Sequence, residues 1–194
     1  MSELIDVCHD NNKELALKLI ENKVNLDIQN EHGITALMLS CFHNNTEVAL
    51  KLIENKANIH VQSKYGNTAL LYSCYNNNTE LALKLMECKA DVNIQGAFGH
   101  NALIELLFNF HNMPIIHTEI SLKLIENKIN LNVQDNYGYT ALIWSCQGCY
   151  SEIALKLIEN KANLDLQDKD GQTALMWSCH CKNTEITSYL LEIY

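Results

Sequence analysis

Apolar residues recur along the chain with the spacing of an amphipathic helix, in a segment that appears six times. The copy from Thr46 to Gln62 reads TEVALKLIENKANIHVQ, and close copies begin at Lys13, Thr79, Thr118, Ser151 and, in shortened form, Thr184. At about 100° per residue, one broad face of this copy holds Val48, Ala49, Leu50, Leu52 and Ile53. So wide an apolar face predicts a helix that packs against neighbours on both sides.

A second helix is predicted before each of the last five copies. Glycines at positions 33, 66, 99, 138 and 171 are separated by 33, 33, 39 and 33 residues, and each is followed two positions later by Thr or Asn. Such a residue before an apolar run is a good N-cap, because its side-chain oxygen accepts a hydrogen bond from the first turn. We expect helices of about nine residues starting at Thr35, Thr68, Asn101, Thr140 and Thr173.

A fixed internal period predicts one elongated domain over residues 1–194, because each unit buries its apolar side only against its neighbours. The period divides the chain into an N-terminal cap unit at about 1–30, internal units at 31–63, 64–96, 97–135 and 136–168, and a C-terminal unit at 169–194. Between helices comes a short extended stretch that ends in a glycine turn, which predicts a hairpin or turn and no sheet of any size.

The fourth unit is longer than the others by six residues and contains the chain's one proline, within the segment 108–117. One interpretation is a tolerated insertion, because surface loops accept extra residues at little cost. The other is a dedicated contact, because Phe110, Met113, Ile115 and Ile116 have no obvious partner in the repeat pattern.

The unit resembles the ankyrin repeat over essentially the whole chain. The family's Thr-Pro-Leu-His appears as Thr35-Ala36-Leu37-Met38, and its Gly-Ala-Asp-Val-Asn appears most closely as Lys89-Ala90-Asp91-Val92-Asn93. The family glycine after the second helix is replaced in each copy by lysine, at Lys23, Lys56, Lys89, Lys128 and Lys161. The resemblance implies an all-α repeat solenoid, an ankyrin-like stack of helix-turn-helix units with projecting β-hairpin-like fingers.

The charge of the chain and the pattern of its apolar residues limit the partners and the cellular location that we expect for this protein. Net charge is −9, and all 14 basic residues are lysine, so no guanidinium is present to read phosphates or guanine edges. Nucleic acid is an unexpected partner for such a chain. The first twenty residues lack the pattern of a signal peptide, and no apolar run approaches the ~18 residues of a membrane span. We expect no membrane association and a cytoplasmic or nuclear protein.

Five cysteines occupy one repeat position, where stacked helices would hold them roughly 10 Å apart and too far for bridging. We expect them to be reduced, buried apolar groups: Cys8, Cys41, Cys74, Cys146 and Cys179. Cys149 and Cys181 lie outside this set and are the candidates for a minor alternative, a thiol or metal site. No catalytic constellation, phosphate loop or cofactor motif is recognisable, so we expect a non-enzymatic protein without cofactors.

By the resemblance, the fingers and the first helix of each unit line a concave groove. The expected partner-binding residues are Tyr65, Tyr72, Tyr75, Phe98, His100, Tyr137, Tyr139, Trp144 and Trp177. Trp144 and Trp177 have a second interpretation, packing between repeats. The resemblance also implies possible hydroxylation of the finger asparagines Asn93 and Asn132.

We therefore expect a protein-protein interaction scaffold or adaptor that binds an extended neutral or basic apolar segment of another protein. Tyr and Trp side chains supply large contact area at little entropic cost, and the excess of acids disfavours an acidic guest. The alternative is a structural segment of a longer or self-stacking solenoid. We expect the protein to be a monomer or to associate weakly with itself through the C-terminal unit.

Overall fold

The computed structural model describes residues 3–108 and 118–193 as twelve α-helices and no strand. The helices are α1 (Glu3–His9), α2 (Lys13–Glu21), α3 (Ala36–Phe42), α4 (Thr46–Glu54), α5 (Ala69–Tyr75), α6 (Thr79–Glu87), α7 (Ala102–Phe108), α8 (Thr118–Glu126), α9 (Ala141–Gln147), α10 (Ser151–Glu159), α11 (Ala174–His180) and α12 (Thr184–Ile193). The predicted all-α repeat solenoid is thereby confirmed. Apart from Phe108, the insert 108–117 lies outside the described residues.

The chain divides into two compact units, residues 1–97 with α1 to α6 and residues 98–194 with α7 to α12. Within the first unit, α1, α3 and α5 pack in succession, as do α2, α4 and α6. Within the second, α7, α9 and α11 form one layer, and α8, α10 and α12 form the other. The prediction of a single domain over 1–194 stays a prediction.

The odd-numbered helices begin where their caps predict. Met38 N–H donates to Thr35 Oγ1 at 3.3 Å, and Ile104 N–H donates to Asn101 Oδ1 at 3.0 Å. These helices run for seven residues and not the expected nine, because the chain turns into a left-handed residue two positions past the helix end. Those residues are Asn11, Asn44, Asn77, Cys149 and Lys182, with φ between 54° and 58°.

Even-numbered helices such as α4 and α6 begin at the predicted Thr-Glu pair. The caps of α2, α4, α6 and α12 are asparagines that the sequence pattern did not indicate, whereas Tyr150 precedes α10 without a side-chain cap bond. Asn45 Oδ1 accepts from Val48 N–H, and Asn183 Oδ1 accepts from Ile186 N–H. The lysine after each of the first five even helices takes the left-handed conformation itself, with φ from 56° to 69°. Each lysine therefore keeps the left-handed backbone conformation of the family glycine that it replaces. This conformation costs a non-glycine residue ~1 kcal/mol.

One leucine in each of the last five even helices is fully buried in the core. Leu52, Leu85, Leu124, Leu157 and Leu190 occupy the same repeat position and are fully buried. Each of these helices packs against the odd helix of its own repeat, as α4 does against α3 and α6 against α5. This burial is the basis of each unit's hydrophobic stabilisation.

The fingers are the segments 22–35, 55–68, 88–101, 127–140 and 160–173, and they are hairpin-like turns. Ser63 N–H donates to the Asn67 carbonyl at 2.9 Å, and Asp135 N–H donates to the Tyr139 carbonyl at 3.0 Å. Adjacent fingers are also linked, as when Lys64 N–H donates to the His32 carbonyl in the first unit. No helix among the described residues is long and apolar enough to cross a membrane.

The cysteine position is buried in four of its five copies. Cys8, Cys41, Cys74 and Cys146 are buried free thiols, and burial raises the pKa of Cys41 and of Cys146 to about 12. The prediction is wrong for Cys179, which is exposed. In the last repeat, no further helix pair among the described residues covers that face.

Asparagine side chains connect the helix turns of successive repeats in the first unit. Asn45 Nδ2 donates to Asn11 Oδ1 at 3.0 Å, and Asn78 Nδ2 donates to Asn44 Oδ1. In the second unit, the position of Asn11 and Asn44 is taken by Cys149, and the buried Asn183 Nδ2 has no hydrogen-bond partner among the described residues. The asparagine ladder is interrupted where a thiol replaces its acceptor.

Replacing Cys149 by asparagine is expected to stabilise the protein by ~1 kcal/mol, because it supplies an acceptor to Asn183 Nδ2. Asparagine also tolerates the left-handed backbone at this position, where φ is 57°. Urea unfolding measures the change. Cys149→Ala is the matched control, and an equal gain in both variants would contradict the ladder explanation.

The buried thiols are expected to make stability fall at alkaline pH. Because burial raises the folded-state pKa of Cys41 and Cys146 to about 12, their contribution is present below pH ~9 and is lost as pH rises from ~9 to ~12. Each thiol changes the unfolding free energy by up to ~1.4 kcal/mol per pH unit there. Cys41→Ala with Cys146→Ala should flatten this decline in urea unfolding from pH 8 to pH 11, whereas Cys88→Ala, at an exposed thiol, should not.

Candidate functional site

Exposed aromatic side chains concentrate on the fingers and the odd-numbered helices. Among the described residues, seven Phe and Tyr side chains are exposed, and Tyr189 on α12 is the one that lies on an even helix. The other six are Phe42, Tyr65, Tyr75, Phe98, Phe108 and Tyr137. Fingers and odd helices therefore present most of the exposed aromatic rings, while the even helices α6, α8 and α10 present Lys-Glu pairs.

The second unit carries a connected series of rings, which we call the ring row. In order of contact it consists of Phe98, His100, Phe108, Trp144, Tyr139, Trp177 and His180, with successive ring centroids 4.7–5.8 Å apart. All six contacts are tilted or edge-to-face, which are favourable arrangements for aromatic quadrupoles. The ring row thus connects three residues of the fingers with four residues of the odd helices.

Two buried finger aspartates accept hydrogen bonds from the two tryptophans of the ring row. Trp144 Nε1 donates to Asp135 Oδ2 at 2.9 Å, and Trp177 Nε1 donates to Asp168 Oδ2 at 2.8 Å. The other oxygen of Asp135 accepts from Tyr137 N–H and Tyr139 N–H at 2.8 and 2.9 Å. One carboxylate therefore shapes the finger turn and fixes the indole, so the backbone of the fingertip and the ring row form one rigid network.

His100 lies beneath the surface of the ring row. It is 1% exposed, its Nδ1 is 2.9 Å from Glu105 Oε2, and its Nε2 is 3.7 Å from Asp135 Oδ2. Glu105 occupies the repeat position that holds Tyr72, Trp144 and Trp177 in other units. In the fourth unit, Glu105 thus replaces the aromatic residue found in those units, and its carboxylate contacts His100 on the finger of the same unit.

Carboxylates give the ring row a negative environment. Burial raises the pKa of Tyr139, and the charges of Asp168, Asp170 and Asp135 raise it further. The same field that disfavours a phenolate favours a cationic group placed over the Tyr139 and Trp177 rings.

The first unit has an aromatic groove of about 230 Å³ between its odd helices and a finger. Its lining residues are His9, Ile34, Met38, Leu39, Phe42, His43 and Tyr72. Phe42 contacts Tyr72 edge-to-face at 5.6 Å and stacks with Tyr75 at 6.3 Å between centroids. The groove is mainly apolar, with two histidines in edge-to-face contact at one end.

The predicted partner-binding residues divide by exposure. Tyr65, Tyr75, Phe98 and Tyr137 are exposed, and Tyr72, Tyr139 and Trp177 are half-buried. His100 and Trp144 are buried, so in this structure they support the surface from beneath. Sequence reasoning missed Asp135 and Asp168, although an Asp nine residues before a Trp occurs in both repeats.

Asn93 and Asn132 are exposed on their fingers. Asn132 Oδ1 accepts from Asn163 N–H at 2.8 Å, an interaction that Asp27 repeats with Asn58 N–H in the first unit. The side chain of Asn132 therefore already links two fingers.

The described residues contain no group of three or more His, Cys, Asp or Glu side chains arranged to hold a metal ion. Cys149 and Cys181 nevertheless come close, with Cys149 Sγ 3.7 Å from the Cys181 carbonyl oxygen.

A family model described as ankyrin repeats in three copies matches residues 4–96 and again 97–194. An ankyrin repeat domain of Acinetobacter baumannii AYE is 27% identical, with a TM-score of 0.82 over 97% of this chain and 95% of its own. The ankyrin repeat protein EF0377 is 25% identical, with a TM-score of 0.79 over 97% and 96%.

A chain in the complex of the predatory endopeptidase Bd0816 from Bdellovibrio bacteriovorus with immunity protein Bd3460 is 24% identical. It has a TM-score of 0.79 over 99% of this chain and 98% of its own, a likeness of fold. No curated protein matches the chain.

Removing the indole N–H from each tryptophan tests how the ring row is held. Trp144→Phe should cost ~2–4 kcal/mol, because it removes the indole donor to Oδ2 of the buried Asp135 and leaves a cavity beside that oxygen. Trp177→Phe should cost ~1 kcal/mol less, because water reaches this half-buried site. Thermal and urea unfolding measure both, and equal costs would contradict the role of burial.

Proposed function

The chain belongs to the ankyrin repeat family, whose members generally bind other proteins and are typically non-enzymatic, and from this premise we propose that it is a protein-interaction scaffold. Its partner is an extended segment of another protein that lies along the fingers and odd helices. The ring row of the second unit, together with Tyr137 on the same finger as Tyr139, is the principal contact surface, and the aromatic groove of the first unit is a further one.

The observation that carries this proposal is the exposure of aromatic rings on finger tips whose backbone is fixed by hydrogen bonds. Tyr137 is 59% exposed and Phe98 is 56% exposed, yet the Phe98 carbonyl accepts a hydrogen bond from Asn136 N–H and the Tyr137 N–H donates to Asp135. Rigid aromatic groups bind with little loss of conformational entropy, which is why Tyr and Trp dominate binding energy at protein interfaces.

The charge around the ring row favours a segment that carries basic residues among apolar ones. Asp135, Asp168 and Asp170 lie close enough to Tyr139 to influence its pKa, and Glu105 contacts His100, whose ring in turn contacts Phe98. A lysine or arginine of the partner would meet both aromatic faces and carboxylates, whereas an acidic side chain would be repelled. A neutral apolar segment remains compatible with the exposed rings.

The test is affinity capture from the native cell with the chain as bait, followed by measurement of the dissociation constant for each identified segment. The double variant Phe98→Ala with Tyr137→Ala should weaken binding at least ~10-fold, because it removes two exposed anchors. Both side chains are more than half exposed, so circular dichroism and the thermal midpoint should change little.

The matched control is Lys156→Ala with Glu159→Ala, an exposed ion pair on the even helix α10. It should leave binding unchanged. Equal binding by wild type and the Phe98/Tyr137 variant would overturn the finger-tip surface. Capture of predominantly acidic segments would overturn the proposed charge preference.

A second candidate is stacking on another repeat, and the exposed face of the last repeat favours it. Met176 is 47% exposed, whereas Met38 at the same repeat position is 1% exposed. Leu191 is 60% exposed, whereas the equivalent Ile53 is buried. In the capture experiment, recovery of a differently tagged copy of the same chain and of no other protein would favour this candidate over the scaffold.

A further inference from the structure

Two accessible thiols meet where the fifth and sixth repeats adjoin in the second unit. Cys149 is exposed in the left-handed turn after α9, and Cys181 is half-buried at the C-cap of α11. Cys149 Sγ lies 3.7 Å from the carbonyl oxygen of Cys181 itself. The proximity also appears in the pKa of Cys181, which is raised by burial and then by the charge of Cys149.

The repeat geometry directs the Cys181 side chain toward the same gap. In the first unit the equivalent residue is Asn76, whose Nδ2 lies 2.9 Å from the Cys41 carbonyl and 2.6 Å from the Phe42 carbonyl. Those two carbonyls correspond to Cys146 and Gln147, immediately before the turn that holds Cys149. By this equivalence we infer that the Cys181 thiol faces the turn that holds Cys149, across the interface between neighbouring repeats.

A buried amide with no partner marks this gap as chemically different from its counterpart in the first unit. Asn183 is 8% exposed, and its Nδ2 has no hydrogen-bond partner among the described residues. The equivalent Asn45 Nδ2 and Asn78 Nδ2 donate to Asn11 Oδ1 and Asn44 Oδ1. The thiol at 149 leaves a donor that an oxygen on that sulfur would satisfy.

We propose that Cys149 and Cys181 are a peroxide-sensitive dithiol that closes to a disulfide between the fifth and sixth repeats. The Cys149 thiolate attacks one oxygen of hydrogen peroxide, the O–O bond breaks, and the departing hydroxide takes a proton to become water. This leaves a sulfenic acid, whose oxygen is placed to accept from Asn183 Nδ2.

In the second step the Cys181 sulfur attacks the Cys149 sulfur, the S–O bond breaks, and hydroxide leaves with the thiol proton as water. Two thiols and one peroxide thus give one disulfide and two waters. Cys146 does not compete, because it is buried and its pKa is raised to about 12. The bond ties the turn after α9 to the end of α11, next to Trp177 and His180 of the ring row.

The test treats the reduced chain of residues 1–194 with hydrogen peroxide under native conditions, blocks the remaining thiols and maps disulfides by mass spectrometry of a non-reduced digest. The expected product is a Cys149–Cys181 peptide in a chain lighter by about 2 Da, with the change reversed by dithiothreitol. The thermal midpoint should rise by roughly 5–10 °C, because the bond closes a loop of about thirty residues.

The bridge should be absent in Cys149→Ser and in Cys181→Ser, and present in Cys88→Ser and Cys179→Ser, which remove other exposed thiols. In Cys181→Ser, a sulfenic-acid trap such as dimedone should label Cys149. Absence of a Cys149–Cys181 peptide would overturn the proposal, as would pairing of Cys149 with Cys179 in equal yield. Dimedone labelling at Cys88 in preference to Cys149 would do the same.

Discussion

Each unit depends on the burial of one leucine per repeat between an even helix and the odd helices beside it. Leu85 in the first unit and Leu157 in the second are fully buried at this position, and neither helix of a repeat could cover it alone. This constraint fixes the helix spacing and the places where the chain must turn. Turn and finger positions are consequently free to vary in chemistry provided that they keep the backbone geometry.

The turns show how far that freedom extends. Lysines stand at five left-handed positions where glycine is ordinary, and a thiol stands at one where the first unit uses asparagine. The packing energy of the repeats exceeds these local costs, so unfavourable residues persist. Local substitution then becomes a way to place a reactive or charged group at a defined point on a regular scaffold.

The sequence predicted the parts of the fold that repeat. Thr and Asn caps, finger glycines and the apolar helix face were correctly located because each is a local signal seen several times. The asparagine caps of even helices such as α4 and α6 were not predicted, because asparagines such as Asn45 and Asn78 are also typical of loops. Cys179 was misplaced because burial at that position depends on a following repeat. The site was less predictable than the fold, since the burial of His100 depends on Glu105 and Asp135, five and thirty-five residues away.

Both tryptophans of the chain lie in the ring row, and each indole donates to a finger carboxylate. Intrinsic fluorescence is therefore an internal reporter for the second unit, whereas circular dichroism averages over the helices of both units. Comparison of the two signals during denaturation distinguishes independent melting of the units from a single cooperative transition. The indoles provide this spectroscopic resolution without any label.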